Sequence, residues 1–219
     1  MSTAIAIFVK TPSLSPVKTR LAATIGTDKA QAFYKLSLQS VQEITQSAAI
    51  VPYWAVAEEN GLTDPLWQDC TPIWTGDGNL GERQHRVYET LLQKHEHVML
   101  IGADTPQISR SILNAAVDLL ASHDFVIGPA RDGGYYLFGG RVSTQQIVWT
   151  SVPWSTDLTR VRLEAGLPSA PAHLPMLTDV DNQEDLQFVL QEMPVNRSLK
   201  QQQLVEWIFI NERPASLRG

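Results

Sequence analysis

Val98-Met99-Leu100-Ile101-Gly102-Ala103-Asp104-Thr105-Pro106 runs from four consecutive apolar residues into a turn that carries a carboxylate. An apolar run without alternation suits a strand buried on both faces, as in a parallel sheet. In open α/β sheets, ligands gather beyond the carboxyl ends of the strands. Asp104 falls there. Gly102 permits close approach of backbone or ligand, and Pro106 keeps Thr105 extended. A carboxylate held this way suits a hard cation placed against phosphate oxygens. The plain alternative is a turn, or a cap for a helix near Ser109.

The flanking sequence alternates in type. Strands are expected at Ile5–Val9, Val51–Ala57, Pro72–Trp74, Val98–Ile101, Phe125–Gly128 and Tyr135–Phe138, with Leu174–Leu177 extended. Helical patterning covers Asp28–Gln46, Leu80–Lys94, Ser109–Ala121, Asp157–Ala165, Glu184–Gln191 and Leu199–Ile210. Ser109 is the expected N-cap of its helix. The alternation predicts a three-layer α/β/α sandwich with a mostly parallel sheet. Asp132-Gly133-Gly134 lies between two strands, so a hairpin or crossover should make the sheet mixed. No repeat or linker divides the chain, and a single domain over 1–210 with a polar tail from 211 to 219 is expected.

Composition narrows the function classes. The 219 residues are 43% hydrophobic and 18% charged, with a formal charge of −6. That balance argues against nucleic acid or an anionic membrane as partner. No stretch approaches the ~20 apolar residues of a membrane span. The single cysteine, Cys70, rules out an internal disulfide framework. A cytoplasmic location is the default expectation. Trp207-Ile208-Phe209 reads as part of a helix closing the core, with a homodimer face as the alternative.

Four constellations carry candidate chemistry. The loop after the first strand, Lys10 to Leu21, concentrates Lys10, Lys18 and Arg20 within eleven residues of an acidic chain. Arg20 suits bidentate phosphate binding and Lys18 a point charge. The helix that follows would add N-terminal amides. The second, Gly76 to Arg83, has three glycines entering a helix, with Arg83 at the same sheet edge and an Asn79 cap as the plain reading. The third, Asp132-Gly133-Gly134-Tyr135-Tyr136, is a tight turn with a carboxylate and two rings suited to stacking. The fourth is Asp179-Val180-Asp181-Asn182, where Asn182 is a candidate cap and Asp181 is expected to share one cation with Asp104. Oxygen ligands beside phosphates suit Mg²⁺ or Mn²⁺.

In this order, Phe8-Val9-Lys10-Thr11-Pro12, Val17-Lys18-Thr19-Arg20-Leu21, Leu80-Gly81-Glu82-Arg83, Ile101 to Pro106, Asp132 to Leu137 and Asp179 to Leu186 resemble the DUF2064 group. Those are glycosyltransferase-A-like proteins of the nucleotide-diphospho-sugar transferase superfamily. The resemblance runs from about Ala4 to Leu190. It implies a Rossmann-like sheet with one reversed strand, and a nucleotide or nucleotide-sugar ligand held with Mg²⁺ or Mn²⁺. In the superfamily's nucleotidyltransferases, carboxylates matching Asp104 and Asp181 bind metal. The chain departs from the pattern at Thr105, often Cys, and at Asn182, often Thr. Its first loop has no glycine from Lys10 to Arg20, whereas nucleotidyltransferases usually close a glycine-rich loop over the triphosphate. A metal-dependent transferase using a nucleotide-diphospho-sugar is therefore the leading expectation. Lys10, Lys18, Arg20, Arg83, Gly133, Gly134 and Tyr135 would bind substrate. Asp104 and Asp181 would hold metal, and Asp132 would act on the acceptor side. The alternatives are a guanylyl- or cytidylyltransferase releasing pyrophosphate, and a non-catalytic nucleotide-sugar-binding protein.

Overall fold

The computed structural model describes residues 2–46 and 48–212. Seven strands form one sheet: β1 (Thr3–Val9), β2 (Val51–Val56), β3 (Thr71–Trp74), β4 (His97–Gly102), β5 (Phe125–Pro129), β6 (Tyr135–Gly140) and β7 (Ala172–His173). Their spatial order is β3-β2-β1-β4-β6-β5-β7. β1 pairs in parallel with both β2 and β4, whereas β6 runs antiparallel between β4 and β5. The sheet is thus mixed, with β6 reversed against both of its neighbours.

The pleat sorts the core. Ile5, Ile7 and Val9 of β1, with Met99 and Ile101 of β4, face one apolar cluster. Ala4, Ala6, Val98 and Leu100 face the other. Successive side chains alternate across a strand, so an uninterrupted apolar run such as Val98–Ile101 feeds both faces at once. The first layer contains α2 (Thr27–Gln46) and α4 (Arg110–Leu120); the second contains α3 (Leu80–Leu92), α5 (Gln146–Thr150) and α6 (Thr159–Gly166). A third cluster joins α1 (Thr19–Ile25) and α2 to α7 (Asp185–Glu192) and α8 (Leu199–Glu212). There Ile208 is fully buried and Trp207 packs on Phe33 with ring centroids 5.8 Å apart. That segment therefore closes the core, while Phe209 and Ile210 stay exposed.

Several expected boundaries shift for physical reasons. The tail expected from 211 is still helical at Asn211 and Glu212, and the rest lies outside the described residues. The last strand is Ala172–His173, not Leu174–Leu177. Pro171 and Pro175 bracket a two-residue edge, since proline cannot donate to a ladder. Leu177 makes an isolated parallel bridge to Ala130 instead. α1 and α5, seven and five residues long, were not foreseen; both are too short to show a helical period. Among the described residues no helix is long and apolar enough to cross a membrane.

Candidate functional site

Strands β1, β2, β3 and β4 all end at one edge of the sheet. Because β6 is reversed, it starts at that same edge, so the turn before it arrives there too. Pro129 lies opposite Tyr135, and Gly133, at φ +89°, makes the corner. A third approach comes from the chain after β7. Leu177 N–H donates to Pro129 O and Val180 N–H donates to Asp104 O, each at 3.1 Å. This extended segment crosses the carboxyl ends of β5 and β4. Four separated stretches of sequence therefore meet around one cleft of about 990 Å³.

Lys10, Lys18, Arg20, Arg83, Asp104, Asp132, Tyr135 and Asp181 all line this cleft. Gly133 and Gly134 form the turn behind Asp132. Gly134 N–H donates to Asp132 Oδ1 at 2.8 Å, which fixes that carboxylate. Gly102 also lines the cleft, and a Cβ added there would meet only Asp104 N, at 3.8 Å. Protein packing does not require a glycine at 102; its bare face leaves the cleft floor open.

The first loop is anchored from outside. Thr11 O accepts from Leu14 N–H and Ser15 N–H, while Thr11 N–H donates to Glu58 Oε2. The Tyr34 hydroxyl donates to Lys10 O at 2.8 Å. At the loop's end Lys18 takes φ 50°, ψ 43°. Lys18 and Ser155 are the non-glycine residues at positive φ among the described residues, and both line the cleft. Such conformations cost roughly 1–3 kcal/mol and gather at functional sites. The helix fed by this loop, α1, has only two turns and carries Lys18 at its N-cap. The helix expected to follow the loop directly begins only at Thr27, and the seven-residue α1 that intervenes has too weak a dipole to hold an anion through its terminal amides.

The side chains of Lys18 and Arg20 are paired. Lys18 Nζ sits 2.7 Å from Asp104 Oδ1 and donates to Val180 O at 2.5 Å, with its side chain 5% exposed. Arg20 donates to Asp181 Oδ2 at 2.6 Å. Asp104 and Asp181 remain 46% and 42% exposed. Asp104 caps no helix; Ser109 caps α4, accepting from Ile112 N–H. Nor does the Asn182 side chain cap α7. The Asp185 carboxylate instead accepts the Asp181 and Asn182 N–H groups at 2.8 and 2.7 Å.

On the second constellation both readings hold. Asn79 and Glu82 form a reciprocal capping box on α3, and Arg83 still reaches the cleft, its Nε donating to Gly78 O. The Tyr135 ring packs against Phe138 and Trp154, and its hydroxyl donates to Gln84 Oε1.

Residues outside the sequence-derived set complete the walls. Arg131 donates to Thr178 Oγ1 and Glu192 Oε1, both at 3.0 Å, and lies 5.2 Å over the Phe188 ring. Ser155, Thr156 and Asp157 form a polar rim beside the Asp132 turn. Asp179 accepts from the Thr105 hydroxyl. Its carboxyl is pushed up to about 7, chiefly by burial and further by Asp104 and Asp132, while the Thr105 hydrogen bond and Lys18 oppose the shift. The Asp-Val-Asp spacing flagged this segment, but desolvation by distant residues left no mark in the sequence.

Asp179 holds its proton more tightly folded than unfolded, where 3.8 is the ordinary value. Its favourable contribution is complete below about pH 4 and is lost as pH rises to about 7. Asp179→Asn should therefore gain melting temperature relative to wild type between pH 4 and 8. A difference flat across that range would contradict the buried-acid account.

The oxygen set fits a hard cation. The Lys18 ammonium already stands on a carboxylate and a carbonyl oxygen, Asp104 Oδ1 and Val180 O, so positive charge is favoured there. Among the described residues no group of three or more His, Cys, Asp or Glu is arranged to hold a metal. Two carboxylates are the usual protein share for Mg²⁺ when substrate phosphates supply the rest.

Comparison with known proteins agrees with this architecture. No protein of curated function matches the chain in sequence. A crystal structure from Desulfovibrio desulfuricans G20, provisionally called a nucleotide-diphospho-sugar transferase, is 27% identical, with TM-score 0.83 over 96% of each chain. A CMP:2-keto-3-deoxy-manno-octonic acid synthetase complexed with CTP matches 85% of this chain and 96% of its own, at 14% identity and TM-score 0.52. A 4-diphosphocytidyl-2C-methyl-D-erythritol synthase from Anaerococcus prevotii matches 86% and 94%, at 11% and 0.52. The latter two share the fold. The profile of the family "Uncharacterized protein conserved in bacteria (DUF2064)" matches residues 37–156. That is more than half of the chain, and it spans β2 through the Asp132 turn to the Thr156 rim: the protein belongs to the DUF2064 family.

Proposed function

We propose that the chain is a metal-dependent transferase acting on a nucleotide-diphospho-sugar. One observation carries the reading: Lys18 with Asp104, and Arg20 with Asp181, set anion holders and cation holders side by side at the carboxyl edge of the sheet. A diphosphate with a divalent counter-ion is the ligand that uses both. Asp104 and Asp181 would hold Mg²⁺ or Mn²⁺, which supplies charge neutralisation at the leaving diphosphate. Lys18 and Arg20 stabilise the same oxygens as charge builds there. Arg83 supports the nucleotide, with Lys10 at the cleft mouth. Asp132, held through Oδ1 in the same cleft, offers Oδ2 to take the proton from an acceptor hydroxyl. The hydroxyl oxygen bonds to the anomeric carbon, the carbon–oxygen bond to the diphosphate breaks, and its electrons leave with the nucleoside diphosphate. The 27% identical neighbour with a provisional transferase name supports the reading.

A thermal-shift panel of nucleoside diphosphates, triphosphates and nucleotide sugars, each with and without Mn²⁺ or Mg²⁺, tests it. A ligand at about 100 times its Kd adds about 2.7 kcal/mol. In a domain of this size that is a shift of roughly 5–10 °C. The greatest shift is expected with one nucleotide sugar plus metal. A shift confined to one triphosphate would replace this reading with nucleotidyl transfer. Binding without turnover would make the protein a nucleotide-sugar binder, and no shift at all would remove the site.

A further inference from the structure

Each proposed metal carboxylate is paired with a cation. Lys18 Nζ is 2.7 Å from Asp104 Oδ1, and Arg20 is 2.6 Å from Asp181 Oδ2. The same two cations are the groups proposed to take the diphosphate. Lys18 already commits its ammonium to Asp104 Oδ1 and Val180 O, and Arg20 commits one guanidinium nitrogen to Asp181. Through Val180 O, Lys18 ties the first loop to the segment bearing Asp181.

We propose that Lys18 and Arg20 guard Asp104 and Asp181 against a free divalent ion, and that a diphosphate releases the guard by exchanging partners with it. This rests on the reading above and adds its order of assembly. A divalent ion arriving alone meets carboxylates whose charge is already neutralised, and two cations at contact distance. A diphosphate arriving alone meets cations already neutralised, and two carboxylates. Arriving together they re-pair all four side chains: Lys18 and Arg20 to phosphate oxygens, Asp104 and Asp181 to the metal. No charge is left alone at any point, so the two ligands bind as one unit. The coupling is reciprocal, as linkage requires. The pairs are balanced in number, two cations for two carboxylates, which a cleft built to bind a free metal would not need.

The prediction runs opposite to the usual effect of binding-site mutations. Removing a guard should tighten, not weaken, binding of the other partner alone. Mn²⁺ binding, read by the loss of the free-ion EPR signal, and inorganic pyrophosphate binding, read by calorimetry, are measured separately and then together on the full chain. Wild type should bind each probe weakly alone and at least tenfold more tightly in the presence of the other, after correction for their association in solution. Arg20→Gln and Lys18→Met should tighten Mn²⁺ alone by at least roughly fivefold, the scale of one unit charge at contact distance in water. Asp181→Asn should do the same for pyrophosphate alone. Arg20 is 65% exposed, so its variant remains informative if Lys18→Met fails to fold. Unchanged or weaker Mn²⁺ binding in Arg20→Gln, with the combined probe still bound, would overturn the exchange and leave the proposed function standing. Absence of binding by either probe, alone or together, in every protein would remove both.

Discussion

Asp104→Asn is expected to abolish the joint stabilisation by nucleotide sugar and metal, a loss of roughly 5–10 °C of ligand-induced shift. The expectation rests on what the substitution leaves in place. Asp104 is fixed through its backbone, whose carbonyl accepts the Val180 N–H. Asparagine keeps the shape and an acceptor oxygen for Lys18, so the cleft should survive. Only the negative charge disappears. Losing one charge-stabilising group from a transfer site typically costs about 10²–10³ in kcat. Asp104→Ala is the harsher test, since it leaves the nearly buried Lys18 ammonium with the Val180 carbonyl alone. Its unfolding midpoint without ligand should therefore fall as well. Thermal shift and turnover measured together on wild type and both variants decide the matter. A folded Asp104→Asn that keeps the full metal-dependent shift would sink the metal assignment.

Gly133→Ala is expected to cost more stability than any other single-methyl change at the rim. At φ +89° an L side chain is strained, which costs roughly 1–2 kcal/mol. The added Cβ would also overlap the Asp157 backbone at its carbonyl and Cα. That backbone has little room to yield, because Arg160 N–H, three residues on, donates to Gly133 O at 3.0 Å. Overpacking against fixed neighbours adds about 1–3 kcal/mol. The sum, about 2–5 kcal/mol, corresponds to a melting point lower by roughly 4–20 °C. Gly134→Ala is the control. Its Cβ would meet Asp132 Oδ1 at 3.0 Å, the end of a side chain that can move. Scanning calorimetry on the two variants should separate them widely. Equal melting points would show that the hairpin and the 155–157 rim are not locked together.

What could be read from the sequence follows its physical range. Val98–Ile101 announced a doubly buried strand because burial on both faces suppresses alternation. Asn79 and Ser109 announced helix starts because capping is local chemistry. The Asp132 turn was legible because only glycine suits the corner. The start of α1 was hidden because Lys18, not a glycine, adopts the left-handed conformation there, held by Asp104 and Val180, 86 and 162 positions away. β7 was misplaced by a few residues because a two-residue edge has no period. In the site, charge type and position after a strand were enough to bring Lys10, Lys18, Arg20, Arg83, Asp104, Asp132 and Asp181 to one cleft. They could not reveal that the cations and carboxylates are paired with each other. Asp179 shows the limit most plainly: its raised pKa comes from burial and from neighbours 47 to 75 positions away in sequence.

The Lys18–Val180 hydrogen bond and the Arg20–Asp181 ion pair of the cleft link residues 162 and 161 positions apart. Contacts this distant form late, since a long loop must close before they return anything. The β1–β4 pairing at the centre of the sheet needs only the first 102 residues. A chain emerging from synthesis can therefore lay down β1 to β4 while its cation loop still has no Asp181 to meet. The sheet is assembled first and the charge balance of its edge last. A chain cut between His173 and Asp181 would keep the strands and leave Arg20 without its carboxylate.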